Sequence, residues 1–155
     1  MRETLACQSW SAHRIAPMPR STFTSADTLE QVPLLEELSK RDRQNLARSM
    51  KERTFKSGQE IVVEGRTGVG FFIILDGKAA VTIGGELVQI LGPGDYFGEM
   101  ALLDGGARTA TITSDGELRC ATMTSWAFKS FVLENPKVAW AMLQTLAQRL
   151  RASRL

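Results

Sequence analysis

The rhythm of apolar and polar positions changes twice along this chain. Between residues 54 and 124, short runs rich in β-branched and aromatic residues are separated by glycine turns; they fall at 60–63, 71–75, 79–83, 87–91, 110–113 and 118–124. Runs of this length, repeated at roughly 8–12 residues, predict an antiparallel all-β sandwich or roll. All thirteen glycines lie between Gly58 and Gly116, and Asp76-Gly77 and Gly84-Gly85 carry hairpin signals. Repeated turns of this kind are consistent with a jelly roll.

On both sides of this region the period is helical. Asp27 or Thr28 can cap a short helix, and Ser39 is the better cap for a helix over 41–52. Leu34, Leu35, Leu38, Leu46 and Met50 supply the apolar face of these segments. After Thr124, Ser125 is the expected cap of a helix over 126–133, and Asn135-Pro136 breaks and restarts the chain. Residues 137–155 contain no glycine, proline or acid, and Ala139, Met142, Leu143, Leu146, Ala147 and Leu150 form an apolar stripe. The expected class is therefore mainly β with flanking helices. The expected division is a flexible N-terminal arm (1–26), N-terminal helices (27–52), a β-roll (53–124) and C-terminal helices (125–155). Trp10 is the one residue of the arm suited to docking.

Composition narrows the chemistry. A chain of 155 residues is one domain's worth, enough to bury roughly two-thirds of its unfolded surface. A net charge of +2 makes no case for nucleic acid. Cys7 and Cys120 are too few for a disulfide framework, and no apolar run approaches the roughly 18 residues of a membrane span. The first nineteen residues lack the apolar core of a signal peptide, so a cytoplasmic location is expected. The single histidine, His13, lies outside the β region, which argues against a jelly-roll metal enzyme. Cys120, in a strand pattern, reads as a buried thiol rather than a nucleophile. No catalytic residue and no metal ligand are expected, and the chain is not expected to be an enzyme.

One stretch carries chemistry: FGEMALLDGGARTAT, residues 97–111. Gly98 lets a ligand approach the backbone, and Met100-Ala101-Leu102-Leu103 favours a short helix whose free N–H groups face outward near Gly98. Such an end attracts anions. Asp104-Gly105-Gly106 stops the helix and turns the chain, returning Arg108 toward the same place, where its planar fork suits phosphate oxygens. Arg108 is the only cation between Lys78 and Arg119. Glu99, a carboxylate beside an anion site, suits sugar hydroxyls, and the parts together suggest a ribose-phosphate. The alternatives are an ion pair of Arg108 with Glu99 or Asp104, and a merely favourable first-turn charge for Glu99. Arg149, Arg151 and Arg154 either compensate the negative end of the last helix or send one guanidinium to the ligand's base or an acidic partner.

This stretch resembles the phosphate-binding cassette of cyclic nucleotide-binding domains, the module of kinase regulatory subunits, nucleotide-gated channels and catabolite-activator transcription factors. The likeness runs over about 32–155 and includes FKSGQEIVVEG, FFIILDGKAAV and LGPGDYFGE upstream. The resemblance implies a jelly-roll β-roll with C-terminal lid helices. It implies that Glu99 holds the ribose hydroxyl, that Arg108 holds the cyclic phosphate, and that amides around Gly98, Met100 and Ala101 assist. Thr109 would add a hydroxyl to the phosphate or to a syn guanine, Val88 and Leu91 would line the purine's apolar wall, and Ser153 would make the lid's polar contact to the base. Ala107 departs from the proline usual before the arginine, a loss of preorganisation worth a few tenths to about 1 kcal/mol. The implied ligand is cyclic AMP, favoured, or cyclic GMP, with no cofactor. The chain ends at Leu155 without room for a DNA-reading, kinase or pore domain. The expected partner is therefore a separate effector protein, with no direct DNA binding and no membrane, and with a homodimer through the last helix. A scaffold that has lost nucleotide binding, or a fragment of a larger regulator, is the alternative.

Overall fold

The computed structural model describes residues 26–68 and 70–152; the expectations for Trp10, His13, Arg154 and Ser153 lie outside the described residues. The N-terminal part holds helix α1 (Ala26–Leu29), a 3-10 turn (Pro33–Leu35) and α2 (Lys40–Ser49). Ser39 caps α2 as its sequence predicts, its hydroxyl accepting from the Asp42 amide at 3.1 Å. Strands β1 (Lys51–Phe55), β2 (Glu60–Val62), β3 (Gly70–Ile83), β4 (Glu86–Leu91) and β5 (Tyr96–Phe97) follow. Then come α3 (Glu99–Asp104), β6 (Thr111–Thr124), α4 (Ser125–Glu134) and α5 (Pro136–Ala152).

All strand pairs are antiparallel, in the order β1-β6-β3-β4, with β2 also on β6 and β5 also on β3. This is the jelly-roll type of sheet with flanking helices that the sequence predicts. The spine is β3 against β6, paired from Gly70↔Thr124 to Thr82↔Thr111. Each replaces two expected strands. Asp76-Gly77 is not a hairpin turn: β3 runs through it, with register shifts on either side of Asp76. Gly77 has φ of +90°, and a Cβ there would strike the Glu117 carbonyl oxygen. The dipeptide bends a continuous strand as a bulge, letting one long ribbon serve both ends of the roll. Gly84-Gly85 does turn the chain, between Ile83 and Glu86. β1 takes residues expected as the end of a helix. KERTF has no strand alternation of its own, and its ladder on β6, from Lys51↔Thr122 to Phe55↔Leu118, decides its conformation.

β3 divides the interior between two cores. Phe71 and Ile73 face the helices, joining Leu29, Leu35, Met50, Phe128, Val138 and Met142. Phe72 and Ile74 face the inside of the roll, joining Phe55, Phe97, Leu118 and Cys120. Burial pushes the Cys120 thiol up to about 12 and keeps it protonated.

The C-terminal helices depart from expectation in two ways. Thr124, not Ser125, caps α4, its hydroxyl accepting from the Ala127 amide at 3.3 Å. On α5 the buried face is Val138 and Met142, with Ala141 and Thr145 half-buried, whereas Leu143 and Leu150 of the expected stripe are more than half exposed. A helix with apolar side chains on more than one face can bury any one of them, and docking against the helical core selects which one is covered.

Candidate functional site

The site begins with how β5 is held. Phe97 stacks on Phe72 at 4.8 Å, while the loop before it is fixed by Ile74 N–H to Asp95 O and Gly94 N–H to Ile74 O, both 2.8 Å. This brings Gly98 against β3. Gly98 adopts φ of +96°, and a Cβ there would lie 2.5 Å from the Gly70 carbonyl oxygen, so glycine is required on both counts. α3 starts immediately afterwards without a side-chain cap, so its first amides remain available beside the cavity. Its other end closes on Gly105, whose N–H reaches Ala101 O at 3.0 Å, and Asp104 Oδ1 accepts from the Gly106 amide at 2.8 Å.

Arg108 returns to the start of α3. Its backbone is clamped from both sides, N–H to Arg66 O at 2.9 Å and O from Gly65 N–H at 2.8 Å. Its guanidinium donates through Nη1 to Gly98 O at 2.9 Å and through Nη2 to Gly70 O at 3.0 Å. The residue is only 7% exposed. Burial lowers its pKa from the ordinary arginine value, and the Glu99 charge opposes that shift. The two alternative ion pairs are not formed: among the described residues Arg108 salt-bridges neither Glu99 nor Asp104. Its partners are backbone dipoles, and its remaining donors are free for something else.

Glu99 is 2% exposed, and its partner comes from the far end of the chain. Arg149 Nη1, on α5, lies 2.6 Å from Glu99 Oε1, with the Arg149 side chain 43% exposed. Tyr96 adds to this junction: burial raises its pKa, and a hydrogen bond with Thr145 of α5 works in the opposite direction. The last helix is thereby tied to both β5 and α3.

A cavity of about 200 Å³ opens between these groups. Gly98, Glu99, Met100, Ala101, Arg108 and Thr109 line one side, and Val88 and Leu91 line the wall opposite. Leu91 also belongs to the roll's core, whereas Val88 is 55% exposed and is not core. Eight of the nine residues singled out in the sequence thus surround one cavity; the ninth, Ser153, lies outside the described residues. Arg149, Gln89 and Gly68 were not among them. Arg149 is one of three late arginines that sequence cannot rank. Gly68 matters by what it lacks: a Cβ there would stand 2.7 Å from Arg108 Nε and Nη2. The arrangement combines a permanent cation and helix amides for an anion, a carboxylate for hydroxyls and an apolar wall for a flat group. Among the described residues there is no cluster of histidine, cysteine or carboxylate side chains able to hold a metal.

The family model described as "Cyclic nucleotide-binding domain" matches residues 52–135, more than half of the chain. The chain belongs to the cyclic nucleotide-binding domain family. That match runs from β1 to the junction of α4 and α5, so Arg149 lies beyond it. Within the family, the chain is 36% identical over 143 residues to the cAMP-dependent protein kinase regulatory subunit of Mycosarcoma maydis, covering 81% of this chain and 27% of that protein. Among solved structures it is similar to the cAMP-bound regulatory chain PfPKA-R, with TM-score 0.73, 27% identity, and 84% of this chain and 46% of that one covered. It is likewise similar to the Thermus thermophilus catabolite activator protein, with TM-score 0.71, 27% identity, and 78% and 59% covered. The chain spans about a quarter of the length of the curated relatives it matches. Among the described residues, no helix of this family member is long and apolar enough to cross a membrane.

Proposed function

We propose that this chain is a non-catalytic cyclic nucleotide sensor. The cyclic phosphate sits on Arg108 and the amides that open α3, ribose hydroxyls sit on Glu99, and the purine rests against Val88 and Leu91, with Thr109 beside the phosphate. Cyclic AMP is the favoured ligand over cyclic GMP. The observation that carries this reading is the buried guanidinium of Arg108, which among the described residues has two carbonyl partners and no carboxylate. A buried cation without a counter-ion is costly, and an anion in the cavity relieves that cost. The relatives' names, cAMP-dependent protein kinase regulatory subunits, support the ligand class and suggest a protein kinase as the class of effector.

The signal travels through Arg149. A ribose that engages Glu99 competes for the oxygen Arg149 now holds, which biases α5 between two arrangements. Only the difference in ligand affinity between them counts as signal. The outer face of α5 offers Trp140, Leu143, Ala147 and Leu150 at heptad spacing, all exposed, to an effector or to a second copy of the chain.

Calorimetric titration of cyclic AMP and cyclic GMP into the full chain tests the reading. Arg108→Ala is expected to lose about 2–5 kcal/mol of binding free energy; parental affinity in that variant overturns it. A second reading, an interaction scaffold without nucleotide binding, is favoured by one observation: Glu99 is already satisfied by Arg149. Thermal shift separates the two, since a ligand at about 100 times Kd adds roughly 2.7 kcal/mol of stability. No shift with either nucleotide leaves the scaffold.

A further inference from the structure

The outward side of the last two helices combines apolar and basic side chains. On α4, Phe128 and Phe131 enter the helical core, while Trp126 and Leu133, seven residues apart and so on one helix face, point away from it and are 84% and 71% exposed. On α5, Val138 and Met142 enter the same core, while Trp140 and Leu143 are 64% and 56% exposed. Four large apolar side chains left in water forfeit the stabilisation that burial brings, and an apolar face of this kind marks an interaction site. Cations are interleaved with them at helical spacing. Lys129 lies three residues after Trp126 and four before Leu133, Lys137 lies three before Trp140, and Arg151 lies three turns beyond Trp140. All three are exposed, and among the described residues none of them is in a salt bridge. Glu134 is the single acid of the two helices.

We propose that this face docks on the surface of a membrane containing anionic phospholipid, held there by the tryptophans and the cations together. A tryptophan ring settles at the headgroup level, its apolar body toward the acyl chains and its N–H toward water, and lysine and arginine are drawn to the negative leaflet. Charge selects this occupant over a second copy of the chain, which would bring further cations to a surface that already carries three. Shape selects it over a protein partner whose anchoring side chains need a recess. Neither the candidate nucleotide cavity nor a second cavity of about 450 Å³ beneath α5 is lined by Trp126, Leu133, Trp140 or Leu143. The sequence expectation of no membrane partner rests on the absence of a spanning run, and attachment to the surface of a bilayer needs none. No residue of the face lines the nucleotide cavity, so docking does not depend on whether that cavity holds a nucleotide.

Sedimentation of the full chain with vesicles of phosphatidylcholine carrying about 30 mol % phosphatidylserine, and with vesicles of phosphatidylcholine alone, tests the docking. The wild type is expected to bind the anionic vesicles about tenfold or more tightly, and to lose most of that preference between about 0.1 and 0.5 M salt. Trp126→Gln combined with Trp140→Gln is expected to weaken binding about tenfold, and Lys129→Gln combined with Lys137→Gln by a similar factor. All four side chains are exposed, so the exchanges leave both cores intact, which circular dichroism checks. Leu87→Gln, at a 61% exposed position on β4, is the control and is expected to bind as the wild type does. A wild type that stays in solution with the anionic vesicles overturns the membrane and leaves the face to an acidic protein surface. Equal losses in Leu87→Gln and in the double tryptophan variant overturn the assignment to α4 and α5, as does parental binding by both double variants.

Discussion

Arg108 and Arg149 border the same cavity and are held in opposite ways. Arg108 is clamped by the backbone of the roll: its main chain bonds Gly65 and Arg66, and its guanidinium bonds the carbonyls of Gly98 and Gly70. Arg149 reaches in from a helix, is 43% exposed, and rests on one buried carboxylate. One charge sits in the loop before β6 and is fixed there by hydrogen bonds to the backbone of the roll; the other is attached to an element that contacts the roll through few groups. The difference teaches where the molecule is preorganised and where it can change. A rigid site binds without a reorganisation cost, and a switch needs a part whose two positions are close in free energy.

The comparison can be broken in order of expected effect. Arg108→Ala is the most severe, with the loss of about 2–5 kcal/mol of binding free energy given above. Arg149→Met keeps an unbranched apolar stem, removes the charge and leaves Glu99 buried without its partner. A fully buried broken pair costs about 3–5 kcal/mol. Screening at the half-exposed Arg149 reduces the expected loss of stability to about 1–2 kcal/mol in urea unfolding. Amide exchange in α5 should accelerate at the same time. Unchanged stability and unchanged exchange would show that α5 is held by Met142 and Val138 alone, and the contrast between the arginines would lose its meaning.

Gly68→Ala probes the clamp from the other direction. Gly68 has an ordinary φ, so alanine fits its backbone, and the nearest atoms the added Cβ meets are those of the Arg108 guanidinium. Stability should stay within about 0.5 kcal/mol while nucleotide affinity falls about tenfold, because the fork leaves the Gly70 carbonyl. An unchanged affinity would mean that Arg108 tolerates displacement and is less rigid than its bonds suggest.

The last test is alkaline and touches neither arginine. The Cys120 thiol, in the roll's core, is raised from 9.0 to about 12, and the Tyr96 phenol, at the junction with α5, is raised from 10.0. Above pH 9 the unfolded chain sheds protons that the folded chain keeps, so stability is full below pH 9 and declines as pH climbs toward 12. Cys120→Ser removes the thiol's share of that decline in a pH series of urea unfolding. A profile identical to the parent's would place the alkaline loss at Tyr96 and the helix junction rather than in the roll.

Much of this site was legible in fifteen residues. Gly98, Gly105 and Gly106 turn the chain because of their own backbone freedom, and the α3 run forms a helix from its own propensities. The return of Arg108 to the same spot follows within that one turn. Ser39 and Gly84-Gly85 behave as their local chemistry dictates for the same reason. Other features were illegible because they depend on partners distant in the chain. KERTF becomes β1 only because β6 offers it a ladder. Asp76-Gly77 serves equally as a hairpin turn or a bulge, and the register against Arg119 and Asp115 selects the bulge. On α5, packing against the helical core chose Val138 and Met142 over Leu143 and Leu150, and that rotation is what carries Arg149 to Glu99. Sequence by itself therefore determined the family, the turn at Gly98 and the short-range geometry of residues 97–111. Tertiary structure alone decided which arginine holds the buried acid, because a contact between distant residues depends on the free energy of docking whole elements together and not on the preferences of either residue.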